Sequence, residues 1–200
     1  MLVMSSDDRQ PERIPREILE TALSLWRQSA GEHSLPITGS SMLPLIEHGD
    51  SVLIESGPAG ILPGHLVVFR KGDGLVGHRL LSKVSGKGLL LTKGDNAFRA
   101  DPLVAEDEVI GRVIAVQRGG KTLSLNSSSW RLAGRLIAAL MLAWTKLMAR
   151  IDRMDENAST PFLIPLLMLG GRITHALFRR GLTVLLPLFG RWRIVESPRS

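Results

Sequence analysis

The sequence predicts a mainly β fold, α+β overall: a compact multi-stranded β core with an N-terminal helix and a basic amphipathic helical C-terminal region. Three observations predict it. Between residues 35 and 126, short apolar runs alternate with glycine-containing turns, the texture of strands and hairpins. On both sides of that stretch the apolar residues recur at helical spacing. The charge divides at the same boundary: residues 1–126 carry 14 Lys/Arg and 15 Asp/Glu, whereas 127–200 carry 11 and 4, so the whole net charge of +6 sits in the last third.

The elements follow in order. Residues 1–34 form a helical extension, with one amphipathic helix over 12–30. Its apolar side is Ile14, Ile18, Ala22, Leu25 and Trp26, and Pro11 and Pro15 suit its first turn. The run Gly-Glu-His-Ser at 31–34 ends it. Residues 35–126 form the β domain, with strands expected at Ser51–Glu55, Leu66–Arg70, Leu75–Val84, Leu89–Lys93, Val109–Arg118 and Lys121–Asn126. Gly119-Gly120 joins the last two as a two-residue hairpin, because both positions can take positive φ. Residues 127–153 return to helical periodicity. Arg131, Arg135, Lys146, Arg150 and Arg153 share one arc, and Ile137, Leu140, Trp144, Leu147, Met148 and Ile151 take the other side. Asp155, Asn157, Ser159 and Pro161 end this helix, and two further apolar or basic arms follow.

Composition removes several classes of function. The 200 residues include no cysteine, so disulfides, thiolate nucleophiles and Cys-ligated metals are excluded. His33, His48, His65, His78 and His175 are scattered without metal-ligand spacing, and neither a metal nor another cofactor is expected. The N-terminus, MLVMSSDDRQPERIPRE, contains acids and lacks an apolar run of signal-peptide length, so secretion is not expected. No window offers 18 uncharged apolar residues for a clean transmembrane helix. A basic, apolar 127–200 region instead predicts peripheral attachment to an anionic membrane surface, on the cytoplasmic face. Packing of these helices on the β core or a partner is the second reading. Nucleic-acid binding is disfavoured, because Leu and Met dominate and no aromatic stacking series occurs.

The chemistry-bearing stretch is Gly39-Ser40-Ser41-Met42-Leu43-Pro44. A serine hydroxyl becomes a nucleophile only when a neighbouring base takes its proton. Gly39 is expected to allow a tight backbone approach, Met42 to pack beneath the turn, and a backbone N–H there to face a developing oxyanion. Alone, such a serine is more often a hydrogen-bonding turn residue. A partner is offered by His78, a lone histidine in the strand-like run LVGHRLL, since histidine is the usual general base near neutral pH. Two acids, Asp95 and Asp101, flank the turn in KGDNAFRAD. Either is a turn cap by default, and a carboxylate behind His78 would fix its tautomer.

Taken together, GSSMLPLIEHGDSVLI, LPGHLVVF, GHRLL, LTKGDNAFRAD and VIGRV resemble the ordered boxes of the signal peptidase I family over residues 37 to 117. The similarity is closer to the archaeal and endoplasmic-reticulum type, where histidine is the base, than to the common bacterial type, where lysine is. The resemblance implies peptide-bond hydrolysis through an acyl-enzyme, with Ser41 as nucleophile, His78 as general base and Asp101 as third member. Ser40 is then a neighbour in the turn, and Asp95 a turn-forming acid that supports the site. It also implies a peptide or precursor-protein substrate added to an exposed strand edge. Two departures stand out. Pro63-Gly64-His65 replaces the family's Pro-Gly-Asp, with His65 read as a surface turn residue. The soluble helix 12–30 replaces the family's N-terminal anchor, so processing of a cytoplasmic leader or precursor fits better than secretory cleavage. Two alternatives remain: a membrane-associated, non-catalytic peptide-binding scaffold, and a Ser/Lys self-cleaving repressor-like peptidase. The latter would draw its base from Lys71, Lys83 or Lys93, although the box position holds His78 and only about 35 residues precede the core, too few for a DNA-binding bundle.

Overall fold

A computed structural model describes residues 32–57, 60–72, 74–155 and 193–194. The helix expected over 12–30 and the arms beyond residue 155 lie outside the described residues, apart from the pair 193–194. The described chain is mostly β, with nine strands in one antiparallel sheet and one long helix. The strands are β1 (Glu32–Pro36), β2 (Ser51–Ser56), β3 (Leu66–Lys71), β4 (Gly74–Val84), β5 (Leu89–Lys93), β6 (Val104–Ala105), β7 (Val109–Arg118), β8 (Lys121–Ser124) and β9 (Arg193–Ile194). The helix, α1, spans Ser128–Asp155. The main path runs β1-β2-β7-β3-β4-β5-β6, while β8 pairs with β7 and with β9.

All six expected strands form, within two residues of their expected ends. The Gly119-Gly120 hairpin also forms, with φ of 53° and 72° at its two glycines, values open to few other residues. Three strands were not anticipated. β1 occupies Glu32–Pro36, where a helix end was expected; its alternation of exposed and half-buried residues is that of a short edge strand on β2. β6 and β9 are two residues each, too short for any sequence period.

The core lies on both sides of β3. Leu66 and Val68 face one cluster with Met42, Ile46, Val52, Ile54, Val113 and Trp130. Val67 and Phe69 face another with Ile61, Leu80, Leu90 and Val109. This explains why LVVF reads as an uninterrupted apolar run rather than an alternating one. α1 closes the sheet: Trp130 and Ala133 join the larger cluster, and Ile137, Ala138 and Met141 pack on Leu81 of β4. At its N-terminal end α1 meets the 62–65 turn backbone to backbone. A Cβ added to Gly134 would lie 2.7 Å from the Gly64 carbonyl oxygen, so only glycine permits this crossing. The apolar side of α1 is thereby divided, because Leu140 and Leu147 stay exposed while Ile137 is buried.

Candidate active site

The site is built where three segments meet: the turn after β1, the middle of β4, and the loop after β5. Residue 41 is carried by the turn at 41–46, whose apolar residues Met42, Leu45 and Ile46 are sunk in the core. Arg118 of β7 ties down the far end of that turn. Its guanidinium donates to both carboxylate oxygens of buried Asp50 (2.7 Å each), to Glu47 (2.9 Å) and to the Leu45 carbonyl (3.1 Å). These acceptors raise the Arg118 pKa above its ordinary value, the Asp50 hydrogen bond most of all.

The 94–101 loop leaves β5 at Lys93 and returns to it, the Asp101 N–H donating to the Thr92 carbonyl (2.9 Å). On the way it grips the serine turn. The Asn96 N–H donates to the Ser41 carbonyl (2.7 Å), the Asn96 side-chain amide donates to the Ser40 carbonyl (3.0 Å), and the Asp95 N–H points at the Met42 sulfur (3.5 Å). Gly94 makes this grip possible. A Cβ there would lie 2.7 Å from the Ser41 carbonyl oxygen and 3.1 Å from both Ser41 Cβ and His78 Nε2. The tight approach expected of Gly39 belongs instead to Gly94. Gly39 is exposed, and a Cβ on it would meet nothing within 4 Å.

These contacts bring Ser41, His78 and Asp101 into one line of hydrogen bonds. Ser41 Oγ lies 3.0 Å from His78 Nε2, and His78 Nδ1 lies 2.6 Å from Asp101 Oδ2. With its proton on Nδ1, the ring donates to Asp101 and leaves Nε2 to accept from Ser41. Phe69 stands edge-on to the imidazole at 6.1 Å, which fences its inner side. Thr92 Oγ1 donates to Asp101 Oδ2 (2.9 Å), and Lys71 Nζ, on the exposed side, donates to Oδ1 (3.3 Å). Burial alone would raise the Asp101 pKa, but the His78 contact, then Thr92 and Lys71, outweigh it and hold the carboxylate below its ordinary range.

Asp95 does something else. Its two oxygens accept from Arg79 Nε (2.8 Å) and Nη2 (2.6 Å), a fully buried bidentate pair. A further Arg79 nitrogen donates to the Gly64 carbonyl at 2.9 Å, the same carbonyl against which Gly134 of α1 packs. Because neighbours on a strand face opposite sides, His78 and Arg79 divide the sheet: one serves the Ser41 side, the other the α1 side. Ser40 is exposed and contributes only its carbonyl. His65 sits in the 62–65 turn, its Nδ1 accepting from the Leu62 N–H at 3.3 Å.

Sequence reading did not anticipate Thr92, Gly94 or Arg79, and it named Lys71 only as an alternative base, not as a partner of Asp101. Their roles depend on strand register, Leu80 opposite Thr92 and Arg79 opposite Lys93, which no local pattern reveals. Among the described residues no group of three or more His, Asp or Glu side chains could hold a metal ion. No curated protein sequence matches the chain. A family model does, over more than half of its length: residues 7–114, spanning the serine turn, His78 and Asp101, match the model described as Peptidase S24-like, and the chain therefore belongs to that family of serine peptidases.

Proposed function

We propose that the chain is a serine endopeptidase of signal peptidase type that works with Ser41 and His78 and cuts leader or precursor peptides. The observation that carries this reading is the unbroken line from Ser41 Oγ through both nitrogens of His78 to Asp101 Oδ2. In the first step Ser41 Oγ attacks the scissile carbonyl carbon while His78 Nε2 takes the hydroxyl proton. The tetrahedral intermediate collapses to an acyl-enzyme as the imidazolium returns that proton to the leaving amine. A water molecule, deprotonated by the same nitrogen, then releases the acyl group. Asp101 holds the ring in the productive tautomer and offsets the imidazolium charge. The Ser41 backbone N–H, which has no acceptor among the described residues, is the candidate donor to the oxyanion.

Family membership also admits a self-cleaving Ser/Lys peptidase, and the surroundings of the three lysines weigh against it. Lys71 lies against Asp101, and Lys83 pairs with Glu106 at 2.7 Å. Lys93 alternates away from Thr92, on the Arg79 side. Burial lowers its pKa, as a lysine base would require, so it is position and not protonation that weighs against Lys93. The test exposes a proteome-derived peptide mixture to the purified chain and reads new N-termini by mass spectrometry. Cuts that disappear in both Ser41→Ala and His78→Ala are expected. Cuts that survive His78→Ala but vanish in a lysine variant would favour the Ser/Lys reading, and no cuts at all would favour a peptide-binding scaffold.

A further inference from the structure

Part of the apolar surface of α1 has no partner among the described residues. With about 100° per residue and Arg131 as origin, the residues packed on the sheet, Trp130 to Met141, lie between about 200° and about 340°. Leu132, Leu136, Leu140 and Leu147 fall between about 100° and about 180° on the same wheel. They are 58%, 54%, 60% and 48% exposed. Alongside them, from the origin to about 100°, run the exposed cations Arg131, Arg135, Lys146 and Arg150. No acid occurs anywhere from 128 to 151. The positive potential is felt by a neighbour: the His65 pKa is lowered, first by burial and then by Arg112, Arg135 and Arg131.

We propose that this leucine stripe, with its flanking cations, is a docking surface for an anionic lipid bilayer, on which α1 lies flat. Charge selects the occupant. Four cations without an acid complement lipid phosphates, whereas a second copy of α1 against the first would bring like charges together. The leucines would enter the acyl boundary while the long cationic side chains reach the headgroups. Ser128–Ile151 is long and apolar enough to cross a membrane, but its other side is committed to the sheet through Trp130, Ile137 and Met141 and the Gly64–Gly134 crossing. Docking would also fix the site near the lipid. Trp144 of α1 meets Phe98 edge-on at 6.4 Å, and Phe98 belongs to the loop that carries Gly94 and Asp101.

This inference does not rest on peptidase activity, and its test does not use it. Full-length chain is floated with phosphatidylcholine vesicles, with or without phosphatidylglycerol. Binding to the anionic vesicles is expected, at least about tenfold stronger than to neutral ones and weakened by high salt. Leu136→Asp/Leu140→Asp is expected to lower that binding at least about tenfold. Both positions are exposed, so its urea unfolding midpoint should match wild type. Three results would overturn the proposal: no flotation of wild type, a double variant that floats like wild type because residues 156–200 suffice, or a wild-type dimer that ignores vesicles and that the double variant dissolves.

Discussion

Two acid–base pairs share the same two short segments and do opposite things. His78–Asp101 and Arg79–Asp95 both link the middle of β4 to the loop after β5, and their members are sequence neighbours or six residues apart. The first pair borders the serine, reaches solvent through Lys71, and carries the proton in the proposed reaction. The second is a buried, bidentate ion pair, and it joins the sheet to α1 through the Gly64 carbonyl. The contrast teaches that the GHR tripeptide is a branch point: one residue's shift along β4 separates chemistry from framework.

The largest expected effect sharpens the working half. Ser41→Ala and His78→Ala should each lower peptide cleavage at least about 10³-fold, roughly 4 kcal/mol of transition-state stabilisation, with little change in thermal unfolding. Breaking the framework half should do the reverse. Asp95→Asn leaves the buried Arg79 guanidinium without its countercharge and should cost about 3 kcal/mol of unfolding free energy in urea. Gly94→Ala blurs the division, since its Cβ would push on the Ser41 carbonyl and crowd His78 Nε2. Cleavage should fall on the order of 10²-fold from misplacement of the nucleophile, with at most about 3 kcal/mol lost in stability.

The smallest effect concerns pH. The Asp101 pKa is depressed in the folded protein, so its contribution to stability is present above its unfolded value and lost as pH falls through the folded one. Removing Lys71 takes away one of the groups that depress it. Lys71→Ala should therefore move the acid limb of stability to higher pH, with less than about 1 kcal/mol change at neutrality because Lys71 is half exposed. An acid limb that stays in place would remove Lys71 from the site.

Much of this was legible in the sequence, and the reasons are local. Glycine turns and apolar runs located six strands, because hairpin geometry is written in neighbouring residues. Ser41, His78 and Asp101 could be named because they fall in ordered boxes. β1 was missed because Glu32–Pro36 is short, carries a proline and depends on β2 for its pairing. The Arg79–Asp95 pair was hidden because it follows from a cross-strand register and a loop return, so Asp95 looked like a turn cap. Gly94 escaped notice beside Gly39 because close approach is a tertiary fact that a glycine in isolation cannot disclose. The division of α1 into packed and exposed apolar arcs was likewise set by the sheet it covers, and helical period alone could not assign it.

The most direct test compares the two aspartates in one experiment. Asp101→Asn and Asp95→Asn are each measured for cleavage of a peptide found in the proteome-derived screen and for unfolding free energy in the same buffer. The account predicts that Asp101→Asn loses at least about 10²-fold in cleavage at nearly unchanged stability, as expected when the tautomer of a general base is no longer fixed. It predicts that Asp95→Asn loses stability first, with cleavage retained in whatever fraction stays folded. Normal cleavage by Asp101→Asn, with loss in a stably folded Asp95→Asn, would contradict the assignment of the working pair.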